Sequence, residues 1–255
     1  MLDTLTYLSS LYIFTKKDVV QYVGSERNAT ALLYNYSKKG VIANIRRNLY
    51  CICNLATKLP EASKMQIASA VTPTACVSYH SAMEYYGFAN QVFYDVQVAS
   101  ETKFNNFDFD GMKYFYQKQN QTVGIITPPA DTRIRVTDIE RTIIDCTNHI
   151  DLCGGIEELL QCIRLITYVD ESKLETYLKA FNNKSLCKKV GFIMELFAPQ
   201  LHISQSFLRF CQDESKGTVA YLTDDRNNCQ YNKKWNLYIP KNVATFNEIE
   251  SYDIV

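Results

Sequence analysis

The sequence predicts an α+β fold: a small head of short helices and one hairpin, then a larger mixed α/β part with helices concentrated in its second half. Three observations predict it. Apolar residues recur at helical spacing in the first forty positions and then alternate over two short runs. Charge divides the chain: residues 1–60 hold eight Lys or Arg against three acids, a net of +5, and the remainder holds 19 against 24, a net of −5. Beyond position 60, strand-like alternation gives way to helical spacing from Thr137 onward.

The head is read first. Leu2, Leu5, Leu8 and Tyr12 share a helical face, so a first helix ends near Tyr12. Thr15 with Asp18 three residues later forms a variant capping box that opens a second helix, which Gly24 stops. Ser25 caps a third helix running to Lys39, and Gly40 ends it. In that helix Ala29, Leu32, Leu33 and Tyr36 form the core face. The opposite face then holds Arg27, Thr30, Ala31, Tyr34 and Lys38, flanked by Asn28 and Asn35, with Lys39 next in sequence. Val41–Ile45 and Leu49–Ile52 read as two strands joined by Arg46-Arg47-Asn48. The pattern is that of a winged helix-turn-helix.

That face has the chemistry for reading base edges: Arg bonds guanine, Asn bonds adenine, and Thr or Ala meets a thymine methyl. Two guanidiniums at a hairpin tip suit a phosphate backbone or a narrow minor groove. The expected DNA-binding residues are therefore Arg27, Asn28, Thr30, Tyr34, Lys38, Lys39, Arg46, Arg47 and Asn48.

Residues 54–60 form the junction, giving an expected winged domain over 1–56 and a second domain over 57–255. In the latter, helices are expected at 61–70, 78–86, 138–147, 155–166, 171–181, 185–197 and 205–213. Strands are expected at 91–99, 113–117, 122–126, 133–136, 218–222 and 235–239. Asp110-Gly111 signals a turn and Pro128-Pro129 a break.

Composition bounds the rest. No apolar run approaches the ~20 residues needed to span a bilayer. Met1-Leu2-Asp3-Thr4 lacks the basic start of a signal peptide, so a cytoplasmic location is expected. Nine scattered cysteines, mostly within apolar runs, read as reduced core fillers.

No catalytic constellation stands out. Glu140 and Asp145 lie about 140° apart around a helix and do not share a face. Thr137 and Glu140 instead read as a capping box, with Arg141 pointing outward. Ser78, His80 and Ser81 lack the context of a nucleophile and base. No Gly-rich phosphate loop is present, and Cys51 and Cys53 without a second pair do not make a zinc site, so neither cofactor nor metal is expected. Lys184, Lys188 and Lys189 form a basic spot on an acidic part; with Arg141 they extend the DNA-binding surface or meet a toxin-related target, unless they are only a solvated helix face.

Three separated stretches, Val77 to Gly87 (VSYHSAMEYYG), Val136 to Asp145 (VTDIERTIID) and Lys188 to Glu195 (KKVGFIME), follow the head in order. With it they resemble the AbiEi antitoxins of bacterial abortive-infection systems over roughly residues 5 to 200; Lys189 stands where relatives often carry Arg. The resemblance implies a non-enzymatic antitoxin of a type IV toxin-antitoxin pair. Its winged helix would bind inverted repeats in its own promoter and repress transcription. Its larger domain would counteract an AbiEii-like nucleotidyltransferase toxin without a stable complex between the two proteins. Two other classes stay open on the residues alone: a winged-helix protein-interaction module with no DNA role, and a metal-dependent nuclease or transferase.

Overall fold

The computed structural model describes residues 2–244. The chain divides into two compact units. The first comprises residues up to Val77, Phe93–Gln119 and Thr127–Arg135; the second comprises Ser78–Val92, Asn120–Ile126 and the chain from Val136 on. Residues 1–56 are thus one part of a larger unit rather than a unit by themselves, because strands from 93–119 join the head in it.

In the first unit the head forms as its local signals dictate. α1 (Leu2–Leu11) is followed by a three-residue strand β1 (Ile13–Thr15), then α2 (Lys16–Val23) and α3 (Glu26–Lys38). The Thr15–Asp18 capping box is present in both directions, and Gly24 closes α2 at φ 72°. Ser25 caps α3 through the Asn28 amide. The hairpin β2 (Ile42–Arg46) and β3 (Leu49–Ile52) completes the head, and β1 adds to it in the order β1-β3-β2, all antiparallel. Leu8, Phe14, Val19, Ala29, Leu33 and Ile42 form the shared core beneath.

The rest of this unit contains α4 (Lys64–Ala70) and strands β4 (Cys76–Val77), β5 (Asp95–Ser100), β6 (Phe107–Phe109) and β7 (Met112–Lys118). They run in the order β6-β7-β5-β4, with β5 and β7 parallel and the other neighbours antiparallel. Asp110 and Gly111, at φ 51° and 75°, make the two-residue turn expected of an Asp-Gly pair between β6 and β7.

In the second unit α5 (Tyr79–Tyr85) and the strand pair β8 (Ile125–Ile126) and β9 (Val136–Thr137) precede α6 (Ile139–Asn148). A 3₁₀ turn (Ile150–Cys153) leads into α7 (Ile156–Arg164), α8 (Glu171–Phe181), α9 (Lys184–Leu196), α10 (Ala198–Leu201) and α11 (Gln205–Glu214). A sheet of β10 (Ala220–Tyr221), β11 (Cys229–Asn232) and β12 (Leu237–Pro240), ordered β10-β12-β11, follows, and α12 (Lys241–Ala244) ends the described chain. One core, including Ile143, Leu159, Val190, Phe207 and Trp235, ties these helices together.

The expected strand 122–126 is cut to Ile125–Ile126, and of the expected strand 133–136 only Val136 is in a strand, which runs on to Thr137. Gly124 turns the first at φ 71°. The expected Thr137–Glu140 capping box does not form. Thr137 stays in β9, where its hydroxyl lies 2.7 Å from that of Thr142, and Asp138 caps α6 through the Arg141 amide at 2.9 Å.

A Cβ on Gly191 would stand 2.5 Å from the Trp235 ring and 2.7 Å from the Cys211 Cβ. Gly191→Ala is expected to cost about 1–3 kcal/mol through overpacking. Denaturant melts of the full chain check it; an unchanged midpoint would show that Trp235 gives way freely.

Candidate nucleic-acid interface

The exposed face of α3 is the face expected. Arg27, Asn28, Thr30, Ala31, Tyr34, Asn35 and Lys38 are exposed, while Ala29, Leu33 and Tyr36 are buried. Tyr34 stands out at 67 % exposure. The Thr30 hydroxyl donates to the Glu26 carbonyl at 2.8 Å, so this side chain offers outward mainly its methyl. Lys39 is exposed as the residue capping the helix end. Lys16, at the start of α2, pairs with Glu26 at 2.9 Å, and this pair holds the Glu26 carboxyl below its usual range. A hollow between α3 and the wing is lined by Thr30, Tyr34, Ser37, Asn44, Asn48 and Tyr50, together with Lys16 and Leu33. Donors and acceptors from both elements therefore face one concave surface.

The two wing arginines part company. Arg47 and Asn48 are exposed at the tip, with Asn48 in the left-handed region at φ 65°. Arg46 is the last residue of β2, beyond a register shift between Asn44 and Arg46. Its guanidinium lies 5.5 Å and 5.2 Å from the ring centroids of Phe104 and Phe107. Burial lowers its pKa. The expectation of two guanidiniums side by side at the tip is corrected to one at the tip and one half-buried against aromatic rings. Arg46 is still held in the strand by its pairing with Leu49, whereas Arg47 lies in the turn.

The second basic group does not assemble. Arg141 does not point outward: it is 4 % exposed, donates to Asp145 at 2.9 Å and to the carbonyls of Gln121 and Val123 at 3.0 and 2.7 Å, and lies 4.8 Å from the Phe181 ring centroid. Lys188 is 1 % exposed, with its ammonium given to the carbonyls of Thr218 and Asn236. Lys189 is half-buried, and burial lowers its pKa. Lys184 alone of the four is exposed. Arg141 and Lys188 hold the interior together and offer no surface to a partner.

Glu140 accepts from the Asp170 amide at 2.8 Å and pairs with Lys173 at 3.4 Å. Asp145 is bound to Arg141; burial raises its carboxyl to about 6 against the pull of that guanidinium. Ser78, His80 and Ser81 are buried.

One cluster has no signal in local sequence. His80, Glu158 and Cys162 bring a nitrogen, an oxygen and a sulfur within 4.8 Å of one another. Oε1 of Glu158 accepts from the backbone of Asn90 and Gln91, lies 3.0 Å from His80 Nε2, and takes the Cys162 thiol at 3.4 Å. Burial opposes charge on His80, yet Cys162 and Glu158 outweigh it and raise its pKa; burial likewise opposes the Glu158 carboxylate, and His80 with its other donors outweighs it. The donor types suit zinc, but a metal would have to displace hydrogen bonds that already saturate Oε1. The cluster reads as an internal clamp on residues 90–91. Eight of the nine cysteines are buried free thiols, and Cys229 is half-buried.

No family model matches the chain, and no curated protein matches it. Among solved structures it is similar to the crystal structure of the Rv2827c protein from Mycobacterium tuberculosis, with a TM-score of 0.61 and 13 % identity over 96 % of this chain and 93 % of that one. At that identity the likeness shows the fold. It is a winged-helix-like α+β arrangement, with the small antiparallel sheet of the head, then a mixed sheet, then a helical second half. Among the described residues no helix is long and apolar enough to cross a membrane.

Proposed function

We propose that the chain is a DNA-binding autorepressor and the antitoxin of a type IV toxin-antitoxin pair. The observation that carries the DNA-binding half is the α3 face: Arg27, Asn28, Tyr34 and Lys38 stand exposed on a helix whose other side is core, beside a wing tip holding Arg47 and Asn48. In this reading α3 enters the major groove of double-stranded operator DNA, its N-terminal half meets base edges, and the wing lies on the adjacent backbone. Two copies occupy an inverted repeat. The net +5 of residues 1–60 supplies the sequence-independent attraction.

The antitoxin half rests on the resemblance of the three later stretches to AbiEi, which makes a nucleotidyltransferase toxin the functional partner. The burial of Arg141 and Lys188 moves any toxin-directed surface away from them. A reporter driven by the DNA upstream of the gene tests the first half: the full-length chain is expected to repress it, and unchanged expression would refute autorepression. Co-expression with the neighbouring gene tests the second. Growth arrest by that gene, relieved by this chain, is expected; arrest that persists would refute the antitoxin role.

A further inference from the structure

Arg46, Arg47 and Arg135 meet around one hollow of about 530 Å³, and none of the residues lining it is an acid. On one side stand Arg46, Arg47 and Asn48 of the wing; on the other is Ser69–Pro73, the last residues of α4 and the turn after them. Arg135 braces that turn. Its guanidinium donates to the carbonyls of Ser69, Thr72 and Pro73, which occupies oxygens that would otherwise repel an anion. Arg46 has no carboxylate partner among the described residues, its Nη1 is buried without a hydrogen bond, and only the rings of Phe104 and Phe107 face its charge. A half-desolvated guanidinium without a counter-charge gains from an anion nearby. Asn48 lines both this hollow and the one between α3 and the wing, so the two adjoin.

We propose that this hollow seats one backbone phosphate of the duplex lying along α3, with Arg46 and Arg47 supplying the charge and Ser69–Pro73 forming the far wall. The proposal rests on the DNA-binding reading and adds to it a contact surface from outside the winged head. The ligand chemistry is a phosphodiester; free phosphate shares it, and the arms of the experiment separate the two.

The experiment measures duplex affinity of the full chain against salt by fluorescence anisotropy, using the upstream promoter fragment and an unrelated duplex of equal length. Arg46→Met is expected to weaken both duplexes about tenfold or more at fixed salt. It should also flatten the log–log salt slope by about 0.9 with the preference between duplexes unchanged. Arg46→Lys should restore the slope, which separates lost charge from lost folding. Val71→Glu places a carboxylate on the far wall and is expected to weaken both duplexes equally, an effect that a head-only interface would not show. Wild-type affinity and slope in both Arg46→Met and Val71→Glu would overturn the phosphate seat while leaving α3 as the reader. Inorganic phosphate that raises the melting temperature through Arg46, with the duplex slope unchanged, would overturn the diester and leave a free-anion site. A wild-type chain that binds neither duplex would overturn the DNA-binding reading itself and the seat with it.

Discussion

Replacing Arg141 by Ala is expected to destabilise the second unit by about 3–5 kcal/mol, the cost of breaking a buried ion pair from one side. The guanidinium and the Asp145 carboxylate are each 5 % exposed, so neither can turn to water when the other is lost. The same guanidinium also satisfies the carbonyls of Gln121 and Val123, which would be left without that donor. The loss should depend on pH with a definite sign. Burial raises the Asp145 carboxyl to about 6, above its ordinary value of 3.8, so the folded state binds this proton more tightly than the unfolded chain. Asp145 therefore favours folding most below that ordinary value, and the contribution is lost as pH rises through about 6. Without Arg141 the unpaired carboxylate is costlier, so Arg141→Ala should lose less stability at about pH 5 than at about pH 8. Denaturant melts at the two pH values measure this. Equal loss at both would mean that Asp145 finds another cation or water.

The second large effect is expected at the start of α3. Arg27→Ala with Asn28→Ala removes two side chains capable of bidentate base contacts, each worth about 1–3 kcal/mol of discrimination. Preference for the promoter fragment over an unrelated duplex should fall by roughly 30-fold to 3 × 10⁴-fold, while affinity for unrelated DNA falls only modestly. Both side chains are exposed and the Ser25 cap bonds the Asn28 backbone amide, not its side chain, so the fold should be spared. A double variant that keeps its preference would move base reading elsewhere on the head.

The head is legible in the sequence because its signals are local. The Thr15–Asp18 box, the Ser25 cap, Gly24 and the core face of α3 are all written within a turn or two of where they act. The strand β1 is not, because three residues between two helices carry no periodicity and become a strand only by pairing with Leu49–Cys51. The basic side chains divide along the same line. Arg27 and Lys38 stay outside because the faces of their own helix decide it. Arg46 is drawn in by Phe104 and Phe107, Lys188 by carbonyls at 218 and 236, and Arg141 by carbonyls at 121 and 123. Those partners lie 18 to 61 residues away, where spacing along one element says nothing. His80 and Glu158, 78 residues apart, are joined for the same reason.

The most direct measurement is equilibrium binding of the full-length chain to its own upstream duplex and to an unrelated duplex, across a series of salt concentrations. Binding to the upstream duplex is expected to be about 10³-fold tighter or more, with both affinities falling steeply as salt rises. Equal affinity for the two duplexes, or binding indifferent to salt, would contradict α3 and the wing as a DNA-reading surface.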